Sequence, residues 1–216
     1  MNNHSITTIE RFITSNISSG SPGCVAGVLQ HGETVYAKGF GRANLEYPSP
    51  ISAETVFDIG SMAKQFVGMA VALLEEEGRI DTTAGIRDYL PDLPDYTHRI
   101  KVANLLHHTS GIRNYTVLAY YMIGYHESDA ISPEEVYDLL KSVQTGSFAP
   151  GERYEYSDSN YFLLGKIVEQ VSGKTLGEFA AENIFQPLGM ENTLFRECHS
   201  RVIPNRAISY VQHPVR

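Results

Sequence analysis

Ser61-Met62-Ala63-Lys64 sets a hydroxyl and an amine three residues apart. On a helix that spacing turns ~300° and rises ~4.5 Å, so both side chains leave one face, one turn apart. A neutral amine placed there can take the hydroxyl proton and leave the serine oxygen a nucleophile. Ser61 also falls at the expected start of a helix. There the unpaired N–H groups and the dipole favour negative charge on an attacking oxygen. The same spacing has a plainer use, with Ser61 as helix cap and Lys64 in solvent. Eighteen Ser and six Lys in 216 residues make a chance pair of this kind common.

A second group runs Tyr154-Glu155-Tyr156-Ser157-Asp158-Ser159-Asn160-Tyr161, behind Pro150-Gly151 and ahead of a helical stretch. A tyrosine on such a turn serves as acid or base when a nearby cation lowers its pKa. Alternatively the segment is a loop packed on the core, with Ser157, Asp158 or Ser159 capping the helix. Other chemistries lack their motifs. The chain has no Gly-x-Ser-x-Gly, His-Glu-x-x-His or Cys-x-x-Cys, so neither a nucleophile elbow nor a zinc motif is present. His107 and His108 are neighbours on a short helix and point apart, which suits structural or surface roles. Gly39-Phe40-Gly41 lacks the third glycine of a dinucleotide fingerprint. Lys174-Thr175-Leu176-Gly177 has one residue too many for Lys-Thr-Gly and opens a helix rather than a strand.

These residues need elements to position them. Ile6, Ile9, Phe12, Ile13 and Ile17 predict an amphipathic helix over 5–19. Val25–Leu29 and Thr34–Phe40 flank His31-Gly32-Glu33 and read as a β-hairpin. Ser61–Glu77 reads as a helix with Phe66, Met69, Ala70, Leu73 and Leu74 buried, stopped by Gly78. Short helical runs follow at Lys101–His107 and from Ser132-Pro133-Glu134-Glu135, a capping box with proline at its first turn. Asn160–Val171 and Thr175–Phe185 complete the helices. Two strands are clear, both early. A lone hairpin is marginally stable and leaves two open edges, so helices, further chain or a second chain must cover it.

Composition removes several classes. Forty-two per cent of residues are hydrophobic, too many for a disordered chain. A net charge of -8 argues against a nucleic-acid groove. The longest apolar run, Phe66–Leu74, is far short of the ~20 residues of a membrane span. Met1–Ser5 carries no basic or apolar leader, so a reduced, cytoplasmic setting is expected, with Cys24 a buried thiol. Four Arg against one Glu from Thr193 to Arg216 read as a solvated terminal segment.

Taken in order, these segments resemble the serine β-lactamase and penicillin-binding-protein superfamily. The branch they are most similar to holds the class C β-lactamases, D-alanyl-D-alanine carboxypeptidases and family VIII esterases. The carrying residues are Phe57-Asp58-Ile59-Gly60-Ser61-Met62-Ala63-Lys64-Gln65-Phe66, Leu105-Leu106-His107-His108-Thr109-Ser110-Gly111-Ile112, Pro150-Gly151, Tyr156–Gly165 and Pro187-Leu188-Gly189-Met190. The resemblance implies an α+β, β-lactamase/transpeptidase-like fold, with a helical region, an antiparallel sheet and the site between them. Residues 1–60 would supply the N-terminal helix and hairpin, and 61–216 the helical region carrying the site, as one structural unit. It implies Ser61 as acylated nucleophile, Lys64 as its proton acceptor, Tyr156 as second acid/base and the Ser61 N–H as an oxyanion donor. No metal or cofactor is required, and the partner is a small-molecule or peptide substrate.

Two departures are visible. The family's Tyr-x-Asn is Tyr156-Ser157-Asp158 here, and an ionised carboxylate cannot donate a hydrogen bond as an amide can. Asp158 is therefore expected to hold Lys64 or to bind an amine on the substrate. The family's later strand, bearing Lys-Thr-Gly or His-x-Gly and the other oxyanion donor, has no counterpart before Arg216. The sheet is expected to lack its C-terminal strands, and activity is expected to be impaired. Two functions follow: a serine hydrolase acting on an ester, amide or β-lactam, or a non-catalytic relative that binds peptides or a partner.

Overall fold

A computed structural model describes residues 3–125 and 130–211 of the chain. Arg216, counted in the basic terminal segment, lies outside the described residues. The chain divides into two compact units, one formed by 1–60 with 200–216 and the other by 61–199. No helix among the described residues is long and apolar enough to cross a membrane.

In the first unit, helix α1 spans Asn3–Thr14 and stops short of the expected Ser19. Its end is local chemistry. Ser15 Oγ and Asn16 Nδ2 both donate to the Phe12 carbonyl, at 2.8 and 2.9 Å, and compete with the helical ladder for that oxygen. The hairpin forms as expected from β1 (Cys24–Gln30) and β2 (Glu33–Phe40), antiparallel with Gln30 opposite Glu33 and Cys24 opposite Phe40. His31 and Gly32 both take positive φ, 53° and 84°, the turn whose twist matches the strands. Glu10 of α1 accepts from Lys38 Nζ at 2.8 Å and from Tyr36 Oη at 3.2 Å, which ties the helix to β2. Two strands were not expected: β3 (Arg42–Asn44) and β4 (Ser49–Pro50). They pair across a turn in which Asn44 Oδ1 accepts from the Glu46 N–H at 2.7 Å. Residues near 205–210 join this unit. Val56 N donates to Asn205 O at 3.0 Å, and Ile208 N donates to Ala43 O at 2.8 Å.

The second unit is helical. Its long helices are α2 (Lys64–Glu76) and α6 (Asp158–Ser172), which pack on each other. Around them stand α3 (Val102–Leu106), α4 (Tyr115–Ile123), α5 (Pro133–Ser142) and α7 (Leu176–Ala180), the last running into a wider turn over Ala181–Phe185. Val67, Ala70, Val71 and Leu74 of α2 meet Leu163, Leu164, Ile167 and Val168 of α6 in one core. Full burial of each large aliphatic side chain contributes about 1.5–3 kcal/mol. The α2 stripe is rotated from the expected one, and Met69 is exposed. Phe66–Leu74 is apolar nearly all round, so periodicity alone does not fix its inner face.

Caps decide several boundaries. Ser132 Oγ accepts from Glu135 N at 3.2 Å while Glu135 Oε2 accepts from Ser132 N at 2.8 Å, the expected reciprocal pair before α5. Thr175 and Glu178 repeat the arrangement at α7, which is why the Lys174–Gly177 stretch opens a helix. Helix α4 was not expected; Asn114 caps it and Gly124, at φ 69°, ends it. Gly111 holds φ 76° with its α-carbon against the Phe148 carbonyl, and an added Cβ would stand 2.2 Å from that oxygen. Gly111→Ala is expected to cost at least about 2 kcal/mol, read as a lower urea midpoint with unchanged slope.

Candidate active site

The nucleophile candidate does not open an α-helix. Ser61 lies in a 3-10 turn, Gly60–Ala63, and α2 begins at Lys64. Residues i and i+3 eclipse in a 3-10 turn, so the tighter winding sets the Lys64 amine over the Ser61 hydroxyl. Lys64 Nζ donates to Ser61 Oγ at 3.1 Å. The plainer alternative is not what is found. No side chain caps α2, and the Lys64 side chain is only 18% exposed.

Tyr156 and Asp158 enter from the segment leading into α6. Ser157 between them is extended, φ -146° and ψ 125°, which sends both neighbours to the same side. Tyr156 Oη lies 2.7 Å from Ser61 Oγ, 95 positions apart in sequence. Asp158 Oδ1 accepts from Lys64 Nζ at 2.7 Å and from Tyr156 Oη at 2.8 Å. Asp158 Oδ2 accepts from Asn114 Nδ2 at 3.3 Å. The structure thus brings together all four residues that the sequence singles out, and adds Asn114, the residue that caps α4.

A buried polar layer fixes this segment from below. His108 holds φ 54°, and its carbonyl accepts from Glu155 N at 2.9 Å. Its Nδ1 faces two donors, Ser157 N at 3.3 Å and Asn160 Nδ2 at 3.0 Å. Nδ1 is therefore the unprotonated nitrogen of a neutral ring. Burial lowers the His108 pKa, and the Lys64 charge lowers it further. The ring packs against Tyr156, with centroids 4.7 Å apart, and against Tyr161 at 5.2 Å. Asn160 Oδ1 accepts from Ser110 Oγ at 2.5 Å, and Ser110 Oγ accepts from Ile112 N at 3.0 Å. His108 is structural, as read from sequence, but what it supports is the tyrosine of the site. Asn160 lay within the Tyr154–Tyr161 group without an assigned role, and the signal at Asn114 was that of a helix cap, ahead of an apolar run closed by Gly124.

The charges resolve as a pair. Burial disfavours the Lys64 ammonium, but the bond to Asp158, the neighbouring Tyr156 and the Asp158 charge outweigh it and raise the lysine pKa. Burial likewise disfavours the Asp158 carboxylate, and the bonds from Lys64 and Tyr156 with the Lys64 charge overcome it, holding its pKa below the usual carboxylate value. In this arrangement Lys64 rests as an ammonium and Asp158 as a carboxylate. The resting amine is not the neutral base that the bare Ser-x-x-Lys spacing suggests.

The family model described as Beta-lactamase matches residues 8–214. The putative penicillin-binding protein PbpX of Bacillus subtilis (strain 168) is 32% identical over 185 residues, covering 85% of this chain and 44% of that protein. The D-aminopeptidase of Brucella anthropi is 30% identical over 207 residues, covering 92% of this chain and 39% of the relative. Among solved structures, the octameric penicillin-binding protein homologue from Pyrococcus abyssi superposes with a TM-score of 0.77 at 29% identity, over 98% of this chain and 48% of that one. The chain spans about two fifths of the length of the curated relatives it matches.

Proposed function

Because this chain belongs to the beta-lactamase family, we propose that it is a serine hydrolase in which Ser61 attacks the carbonyl carbon of an ester, amide or β-lactam. The carrying observation is the contact of Ser61 Oγ with both Tyr156 Oη, at 2.7 Å, and Lys64 Nζ, at 3.1 Å. A serine hydroxyl becomes a nucleophile when one neighbour receives its proton and another stabilises the negative charge that develops. Here the Lys64 ammonium supplies the charge and the Tyr156 oxygen stands where the proton must go. The new Oγ–C bond gives a tetrahedral oxyanion, which the Ser61 N–H would help to stabilise. Collapse expels the leaving group with a proton and leaves an acyl ester on Ser61. Water then repeats the sequence and frees the acid. No step calls for a metal or cofactor.

Asp158 Oδ2, met by Asn114 at 3.3 Å, is the oxygen through which a substrate ammonium would bind. The likeness to a D-aminopeptidase supports a substrate with a free amino group beside the scissile amide. Turnover of D-amino-acid amides is to be compared with that of neutral esters of similar size. Preference for the amides is expected. Equal or better use of the neutral esters removes Asp158 as a substrate contact, and no turnover of either class, with peptide binding retained, favours a non-catalytic binder.

A further inference from the structure

We propose that Asp158 is the terminal acceptor of the Ser61 proton, reached through the Tyr156 hydroxyl, and that Lys64 is a fixed cation rather than the base. This deepens the serine-hydrolase reading and rests on it. The direction follows from which atoms can donate. An ammonium only donates, and an ionised carboxylate only accepts. At 2.8 Å from Asp158 Oδ1, Tyr156 must therefore give its single proton to the carboxylate. Its oxygen is left with lone pairs alone, so the 2.7 Å contact is filled by the Ser61 hydroxyl proton. Ser61 Oγ in turn accepts from Lys64 at 3.1 Å. Every proton in the cycle then points one way, from Ser61 to Tyr156 to Asp158. An asparagine at 158 could donate to Tyr156 Oη and turn the phenol proton towards Ser61.

The step balances without another reactant. As Ser61 Oγ bonds to the carbonyl carbon, the C=O pair moves onto oxygen. The Ser61 proton passes to Tyr156 Oη while the proton of Tyr156 passes to Asp158 Oδ1. Asp158 becomes a neutral acid, Tyr156 stays a neutral phenol, and the Lys64 charge is left facing the oxyanion. When the bond to the leaving group breaks, Tyr156 Oη gives its proton to that group and takes one back from Asp158, which ionises again.

Among the described residues, the groups facing Asp158 are Lys64 from α2, Tyr156 beside it, Asn114 and Tyr115 at the start of α4, and the neutral His108 behind Tyr156. Lys64 and Tyr156 lower the Asp158 pKa, so the acceptor stays ionised until well into acid.

The test is the rate at which an uncharged fluorophosphonate modifies Ser61, followed by intact mass from about pH 3 to pH 9, a window bracketing both carboxylate and imidazole titration. The wild-type rate is expected to hold through neutrality and to fall only in acid, where the lowered Asp158 carboxylate takes up its proton. Asp158→Asn is expected to take that acid limb out of the carboxylate range and move it upward, since the proton must then reach another acceptor. A variant slowed equally at every pH, with its limb in place, makes Asp158 merely structural and overturns the proposal. Should Asp158→Asn not fold, the wild-type limb decides: a limb in the carboxylate range supports the relay, and one near neutrality overturns it. Absence of any Ser61 adduct in the folded wild type overturns the hydrolase reading itself, a separate outcome.

Discussion

Ser61→Ala is expected to lower hydrolysis by about 10⁴-fold or more and to leave the thermal midpoint where it is. Ser61 is exposed and, among the described residues, makes its side-chain bonds to Tyr156 and Lys64, both of which keep Asp158 as partner. Removing one hydroxyl therefore opens no cavity and strands no buried charge. The chemistry fails because no oxygen remains to form the acyl ester, while the Lys64–Asp158 pair and the loop before α6 persist. The two readouts belong together: initial rates on an activated ester, and a melting curve on the same preparation. A variant that melts alongside the wild type and still turns over substrate would mean that the reaction does not pass through this serine.

Asn160→Leu is expected to act from the opposite side, on stability first. Asn160 is 1% exposed, and its amide joins Ser110 Oγ to His108 Nδ1. Leucine keeps the branching and the number of heavy atoms but offers neither polar atom. Two buried polar groups lose a partner at about 1–3 kcal/mol each, so the loss is expected at about 3 kcal/mol, read from urea unfolding. His108 also packs on the Tyr156 ring and receives Ser157 N, so the folded fraction should acylate more slowly as well. Full stability in this variant would show that the buried layer does not hold the site.

The elements legible in sequence were those with local signatures. The hairpin announced itself through His31-Gly32, and α5 through Ser132 and Glu135. Helix α4 offered only its ends, Asn114 and Gly124. Ala119 is its only buried residue among those described, and Tyr121 is 79% exposed, so no apolar stripe exists for periodicity to find. Strands β3 and β4, of three and two residues, are too short to display a period of two. The site was readable in part because Ser61 and Lys64 are neighbours on one turn. Sequence spacing took Lys64 as a neutral proton acceptor, and its state depends on contacts that spacing does not show. Its charge is set by Asp158, 94 positions away, and by the extended residue that turns Tyr156 and Asp158 to one side. Contacts of that separation leave no mark in local spacing. Asn114, which caps α4 and reaches Asp158, is the same case.

The most direct measurement is a peptide-mapped mass spectrum of the folded protein after exposure to a fluorophosphonate. A single adduct is expected on the peptide containing Ser61, and none in Ser61→Ala. An unmodified Ser61 in protein with a native melting curve, or an adduct carried by Ser157 or Ser159 instead, would contradict it.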